Sequence, residues 1–197
     1  MRFVLATFNR HKAAELGAAL RAQGGEAPTI VPLSDWPGAS APEETGVTLE
    51  ENARLKARAA LALTGLPALA DDTGLEVDAL GGAPGVHSAR YAGEPADPAA
   101  NIARLLAALA GVPRERRTAR FRTVCVAAFA DGRELAAEGR LDGAILETPR
   151  GRNGFGYDPV FGLPDGRSLA ELDADEKNRI SHRARAIAAL SAMLRSG

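Results

Sequence analysis

The chain of 197 residues carries one cysteine, Cys125, so no internal disulfide can form. Long apolar runs are missing as well. The longest stretch without Asp, Glu, Lys or Arg is residues 59–70, twelve residues broken by Gly65 and Pro67, against the roughly 20 that a membrane span needs. After Met1-Arg2 only six mostly apolar residues precede Asn9, too short an apolar run for a secretory signal, so a cytoplasmic protein is expected. Excess charge of one sign is absent too: 24 Lys+Arg oppose 25 Asp+Glu, a net charge of −1. That balance argues against nucleic acid as a partner, because non-specific backbone binding relies on a basic surface. The three histidines, His11, His87 and His182, show no zinc spacing. No G-x-S-x-G elbow and no G-x-x-x-x-G-K-[ST] loop occurs. A serine hydrolase of that type and a P-loop enzyme are therefore disfavoured.

What remains is one domain's worth of chain, 1–197, long enough to bury a core without a disulfide or a structural metal. No internal repeat is found. The β-branched and apolar run at residues 2–7 predicts a buried first strand, followed by a polar loop and a helix with Ala14, Leu16 and Leu20 on its inner face. Gly24-Gly25 is expected to end that helix. Thr48 with Glu51 predicts a capping box, and the helix it opens should stop at Gly65 and Pro67. A short strand over residues 66–70 then runs into two acids. Asp97-Pro98 predicts the cap and first turn of a helix over residues 99–110. Residues 119–130 form the longest strand candidate, and Asp131-Gly132 turns it into an antiparallel partner over 135–140. Ile187, Leu190, Ser191 and Leu194 give the C-terminal helix its inner face. Cys125 and Met193 are expected to fill the core. The pattern predicts an α/β fold with a mixed β-sheet and flanking helices.

Five segments could carry chemistry. Thr7-Phe8-Asn9-Arg10-His11-Lys12 joins a predicted strand to a predicted helix, where free backbone N–H groups and the helix dipole attract phosphate; the alternative is a solvated loop. Asp71-Asp72-Thr73-Gly74 is expected at the carboxyl end of a buried strand, where open α/β sheets bind ligands. Two adjacent acids repel unless a cation sits between them, and oxygen donors of this kind suit Mg2+. Glu43-Glu44-Thr45-Gly46 could complete such a site or be a solvated turn. Asn153-Gly154-Phe155-Gly156-Tyr157-Asp158-Pro159 offers aromatic faces for stacking on a base, or is a plain turn with two core aromatics. In Lys177-Asn178-Arg179-Ile180-Ser181-His182-Arg183, Lys177 and His182 would diverge by about 140° on one straight helix. If both face one ligand, the helix must break between them, with Ser181 capping the last helix.

Taken in order, these segments resemble the inosine triphosphate pyrophosphatase family along the whole chain. The resemblance is carried by Thr7 to Lys12, Glu44-Thr45-Gly46, Glu51-Asn52-Ala53, Asp71-Asp72-Thr73-Gly74-Leu75, Gly82-Ala83-Pro84-Gly85, Ser88-Ala89-Arg90-Tyr91, Gly154-Phe155-Gly156-Tyr157-Asp158-Pro159, Glu176-Lys177-Asn178 and Ser181-His182-Arg183. Phe8 stands where the family pattern places glycine. The resemblance implies an elongated, two-lobed α/β domain with a central nucleotide-binding cleft, assembled as a homodimer. It implies Mg2+-dependent hydrolysis of ITP, dITP and XTP to the monophosphate and pyrophosphate. Asp72 is then the catalytic proton acceptor and a metal ligand, and Glu44 the second metal ligand. Thr7, Phe8, Asn9, Arg10, His11 and Lys12 hold the triphosphate. Thr73, Phe155, Gly156, Tyr157, Asp158, Lys177, His182 and Arg183 contact the nucleotide. A Maf-like pyrophosphatase of other modified nucleotides and a non-catalytic nucleotide-binding module are the competing readings. The SHR segment with the FGYDP loop favours the inosine-type family over the first, and the acidic pair argues against the second.

Overall fold

Residues 2–24 and 28–196 are described by a computed structural model. Strand β1 (Arg2–Leu5) is followed by helix α1 (Arg10–Ala22) and strand β2 (Thr29–Pro32). Asn9 caps α1, its side-chain oxygen accepting the N–H groups of His11 and Lys12 at 3.0 and 3.1 Å. The inner face of α1 is Leu16, Ala19 and Leu20. Ala14, expected there, is exposed: Ala19, at i+3 from Leu16, continues the buried stripe instead. Gly24 has φ +70°, as a helix stop requires; Gly25 lies outside the described residues.

Helix α2 (Leu49–Thr64) begins and ends as its sequence dictates. Thr48 and Glu51 form the reciprocal capping box, and Gly65 takes the left-handed conformation at the C-terminus. Strand β3 spans Ala68–Val77, twice the expected length. The acidic pair therefore lies within the strand and not at its carboxyl end. The physical reason is pairing: buried cations neutralise both carboxylates, so Asp71-Asp72 does not interrupt a strand that Leu75 and Val77 continue to bury.

Strand β4 (Pro84–Gly85), helix α3 (Pro98–Ala108), strands β5 (Thr118–Ala128), β6 (Glu134–Ile145) and β7 (Phe161–Gly162), and helices α4 (Ala174–Ile180) and α5 (His182–Ser196) complete the chain. The sheet order is β2-β1-β3-β5-β6-β7, with β4 on β3. β1 runs parallel to β2 and β3, whereas β4 on β3 and β7 on β6 are antiparallel. The sheet is mixed and the fold is α/β. The short turn after β5, closed by Phe129 N–H to Arg133 O, leaves β5 and β6 no arrangement but antiparallel. β6 outruns its predicted end because inward Leu141 and Ile145 keep it in the sheet beyond Arg140.

Two compact units divide the chain. The first takes the residues up to Asp72, Thr123–Gly139, and those from Ser181 on. Its core is Phe3, Leu5, Leu16, Leu20, Leu69, Phe129, Ile187 and Leu190, with Cys125 fully buried among them. Met193 does not join it and is exposed: it lies off the Ile187–Leu190–Leu194 stripe of α5. The second unit, Thr73–Arg122 and Arg140–Ile180, packs Leu75, Val77, Leu105, Phe121, Tyr157, Phe161 and Leu172. Among the described residues no helix is long and apolar enough to cross a membrane.

Candidate functional site

In the first unit, charged side chains gather along the middle of β3. Asp71 is fully buried at its carboxylate, which meets Lys12 Nζ of α1 at 3.2 Å and Arg183 Nε of α5 at 3.4 Å. Arg183, 2% exposed, also donates to Glu15, one turn after Lys12 on α1. Burial alone would raise the Asp71 pKa, but Lys12, Arg183 and Lys56 together hold it below the usual carboxylate range.

Asp72 belongs to a second cluster. Lys56 Nζ donates to Asp72 Oδ1 at 2.7 Å and to Glu44 Oε1 at 3.0 Å. Burial raises the Asp72 pKa despite the opposing charges of Lys56 and Lys12. Burial would lower the Lys56 pKa, but Asp72, Asp71 and Glu44 reverse this and raise it, so the ammonium stays charged. The start of α2 holds Glu44 over Lys56. The side chain of Asn52, 1% exposed, accepts Gly46 N–H at 2.8 Å, and Glu51 accepts Val47 N–H at 2.7 Å. A Cβ at Gly46 would lie 2.6 Å from Asn52 Oδ1, so the turn after Glu44 requires glycine.

Lys56 and Glu15 escaped the sequence reading. Lys56 carried a signal, since it follows Asn52 by one helical turn and shares its face. Glu15 had only its i+3 spacing from Lys12. The phosphate loop also differs from expectation. The His11 and Lys12 amides are taken by Asn9 and the Asn9 amide by Thr7 Oγ1, so Lys12 supplies charge where free N–H groups were expected. Phe8, Asn9, Arg10 and His11 are exposed on this loop, and Thr7 is half-buried.

The predicted break before the last helix is present. Ser181 Oγ accepts Ala184 N–H at 3.1 Å and caps α5, which opens with the buried His182 and Arg183. That turn rests on Gly139 of β6, where a Cβ would come within 2.0 Å of His182 O and 2.3 Å of Ala186 N.

In the second unit, Thr73 is half-buried on β3 and the FGYDP loop forms its own cluster. Asp158 Oδ2 accepts Phe155 N–H at 2.8 Å and Lys177 Nζ at 2.5 Å. The Lys177 ammonium lies 4.9 Å from the centre of the Phe155 ring, a cation–π contact. Of the two aromatics of this loop, Tyr157 is in the core, whereas Phe155 is half-buried, as is Gly156. Because Asp158 takes the Phe155 amide, that N–H is not a donor for a ligand.

The donors fit a hard divalent cation. Asp72 and Glu44 present carboxylate oxygens to one ammonium, and no group of three or more His, Cys, Asp or Glu that could hold a metal occurs among the described residues. Two carboxylates completed by substrate phosphates and water are the usual Mg2+ arrangement.

A sequence profile of the Ham1 family matches residues 3–193. A dITP/XTP pyrophosphatase of Symbiobacterium thermophilum is 53% identical over 187 residues, covering 95% of this chain and 91% of that protein. One from Elusimicrobium minutum is 53% identical over 194 residues, covering 97% and 98%. The solved HAM1 protein of Coxiella burnetii has a TM-score of 0.88 at 44% identity, with all of both chains covered. The Ham1 protein of Staphylococcus aureus has a TM-score of 0.87 at 37% identity, covering 100% of this chain and 99% of that one. The chain belongs to the Ham1 family.

Proposed function

We propose that the chain hydrolyses ITP, dITP and XTP to the monophosphate and pyrophosphate with Mg2+, removing deaminated purines from the cytoplasmic nucleotide pool. It is a nucleoside triphosphate pyrophosphatase, a hydrolase of phosphoric anhydrides. The observation that carries the reading is Asp72, a buried carboxylate with a raised pKa beside Lys56 and Glu44. A base is most effective when its pKa moves toward the working pH, and burial moves Asp72 that way.

Phosphoryl chemistry is chiefly positioning and charge stabilisation. Lys12, released from Asp71, binds the triphosphate at the start of α1 with Thr7, Phe8, Asn9, Arg10 and His11 around it. Asp72 orients a water toward the α-phosphorus and takes its proton as the P–O bond to pyrophosphate breaks. Lys56 keeps Asp72 and Glu44 together and offsets their charge. Asp72 and Glu44 would hold Mg2+, which supplies neutralisation of the leaving pyrophosphate and a more acidic water.

Base selection falls to donor groups. Hypoxanthine and xanthine carry a 6-oxo acceptor where adenine carries a 6-amino donor. Lys177 has three N–H donors and gives one to Asp158. Phe155 supplies a face for the ring, and Thr73, His182 and Arg183 contact the nucleotide. Buried donors left unpaired by ATP can reject it by roughly 10⁴-fold. The homodimer implied by the family resemblance is a further part of this reading, tested by mass from light scattering. Pyrophosphate release from ITP by wild type and Asp72→Asn tests the chemistry: the variant should bind nucleotide and release nearly none. Near-normal turnover by a folded Asp72→Asn protein would remove Asp72 from its role.

A further inference from the structure

The Gly82 to Gly85 and Ser88 to Tyr91 segments have no part in the chemistry above. Both belong to the second unit, where Ser88 is buried and makes three hydrogen bonds through its hydroxyl and its carbonyl. Its hydroxyl accepts Leu75 N–H at 2.8 Å and donates to Gly85 O at 2.6 Å. Its carbonyl accepts the phenol of Tyr157 at 2.9 Å. One residue thus joins β3, two positions beyond Thr73, to the turn at Gly85 and to the FGYDP loop. Asn101 of α3 braces the same turn from its other end, accepting Ala92 N–H at 2.6 Å and donating to Ala89 O at 2.9 Å.

The loop that Tyr157 anchors has little freedom of its own. Gly154 sits at φ +73°, and a Cβ there would fall 2.1 Å from Asp158 Oδ2, the atom that accepts the Phe155 amide. Tyr157 packs its ring among Leu75, Val160 and Phe161 and turns its hydroxyl to Ser88. Its burial raises the phenol pKa and keeps the hydroxyl a donor. A side chain so placed holds the loop and leaves nucleotide contact to its neighbours.

We propose that Tyr157 and Ser88 are a positioning pair: the phenol-to-carbonyl bond fixes the loop that presents Phe155 and whose Asp158 holds Lys177 of α4, and the Ser88 hydroxyl fixes that loop to β3 beside Thr73. The proposal rests on the reading of this loop as the base-recognition element. It assigns Tyr157 a role through Ser88 in place of the direct nucleotide contact that the family resemblance implies. A loose loop weakens binding and blurs the choice of base while the chemistry at Asp72 continues, so the pair acts on KM and selectivity before kcat.

The test is steady-state pyrophosphate release from ITP and ATP by the full chain, for wild type, Tyr157→Phe, Ser88→Ala, Ser88→Thr and the Tyr157→Phe/Ser88→Ala double variant. Thermal melts accompany each, and all assays are run well below the lowest melting temperature. Tyr157→Phe keeps the core ring and removes one hydroxyl. It should raise KM for ITP about tenfold and lower the ITP-to-ATP preference by a similar factor, with kcat within about twofold, the pattern of a displaced binding group. Ser88→Ala should act in the same direction and Ser88→Thr should restore most of the loss. The double variant should be no worse than the poorer single one, because both substitutions break one linkage. KM and preference within twofold of wild type in Tyr157→Phe would overturn the pairing, as would single effects that simply multiply. A collapse of kcat at unchanged KM would overturn it too, by giving Tyr157 a direct part in the chemistry. Wild type that turns over ITP while the variants match it refutes the pairing alone; wild type that releases no pyrophosphate from ITP refutes the proposed function as well.

Discussion

Asp71 and Asp72 are consecutive on β3 and serve different cations: Asp71 meets Lys12 and Arg183, and Asp72 meets Lys56, whose ammonium also holds Glu44. Successive side chains of a strand point to opposite faces, so two adjacent acids need not share one counter-charge. The two carboxylates also differ electrically. Asp71 stays ionised through the surrounding cations, whereas burial lifts Asp72 toward the range of a usable base. One dipeptide thereby supplies a fixed anion and a candidate proton acceptor.

The first prediction follows from that division. Asp72→Asn should cut turnover of ITP by about 10²- to 10⁴-fold, the range for loss of a general base. Its melting temperature should stay close to that of wild type, because Lys56 keeps Glu44 as a partner. Activity and melting curves measured together check both halves.

Asp71→Asn should behave in the opposite way. Lys12 and the buried Arg183 lose a shared counter-charge, and breaking a buried pair by removing one partner costs about 3–5 kcal/mol. Urea unfolding at pH 7 should show that loss. A change under about 1 kcal/mol would mean that Glu15 alone satisfies Arg183.

Lys56→Met should separate structure from metal binding. Without the ammonium, Asp72 and Glu44 lose the cation they share, and like charges repel. The variant should melt lower than wild type in chelator. Added Mg2+ should raise its melting temperature more than it raises that of wild type. Equal shifts in the two proteins would place the metal elsewhere.

Acid should weaken one tie between α2 and β6. Arg58 holds Glu134 through paired bonds of 2.6 and 2.9 Å, and Arg54 adds another. The hydrogen bond from Arg58, opposed by burial and aided by Arg54, lowers the Glu134 pKa from its ordinary 4.5. A carboxylate with a lowered folded-state pKa contributes stability fully above its unfolded value and loses it as pH falls through the folded one. Glu134→Gln should therefore melt below wild type at pH 7, with the gap closing as pH falls below 4.5. A gap that stays constant down to pH 3 would show that the carboxylate charge contributes nothing.

Local signals were readable in the sequence where they were self-contained. The capping box of Thr48 and Glu51, the Gly65 stop and the Ser181 break each depend on residues within one turn, and each stands where expected. Signals that depended on distant partners were not readable. β3 was cut short at Asp71 because two acids look like the end of a strand until Lys12, Arg183 and Lys56 are seen to neutralise them. Met193 looked like core because a methionine is apolar, yet its angle on α5 turns it outward. Lys56 shares a face of α2 with Asn52, but its carboxylate partners lie 12 and 16 residues away in the chain. Ser88 and Tyr157, 69 residues apart, meet only once the second unit has folded.

The central claim is metal-dependent release of pyrophosphate from deaminated purine nucleotides. It is tested most directly by assaying pyrophosphate and phosphate separately from ITP, dITP, XTP, GTP, ATP and dTTP, with Mg2+ and with chelator. The account predicts pyrophosphate from ITP, dITP and XTP with Mg2+, little from the other three, and none with chelator. Equal turnover of ATP and ITP, or single phosphates released from every nucleotide, would contradict it.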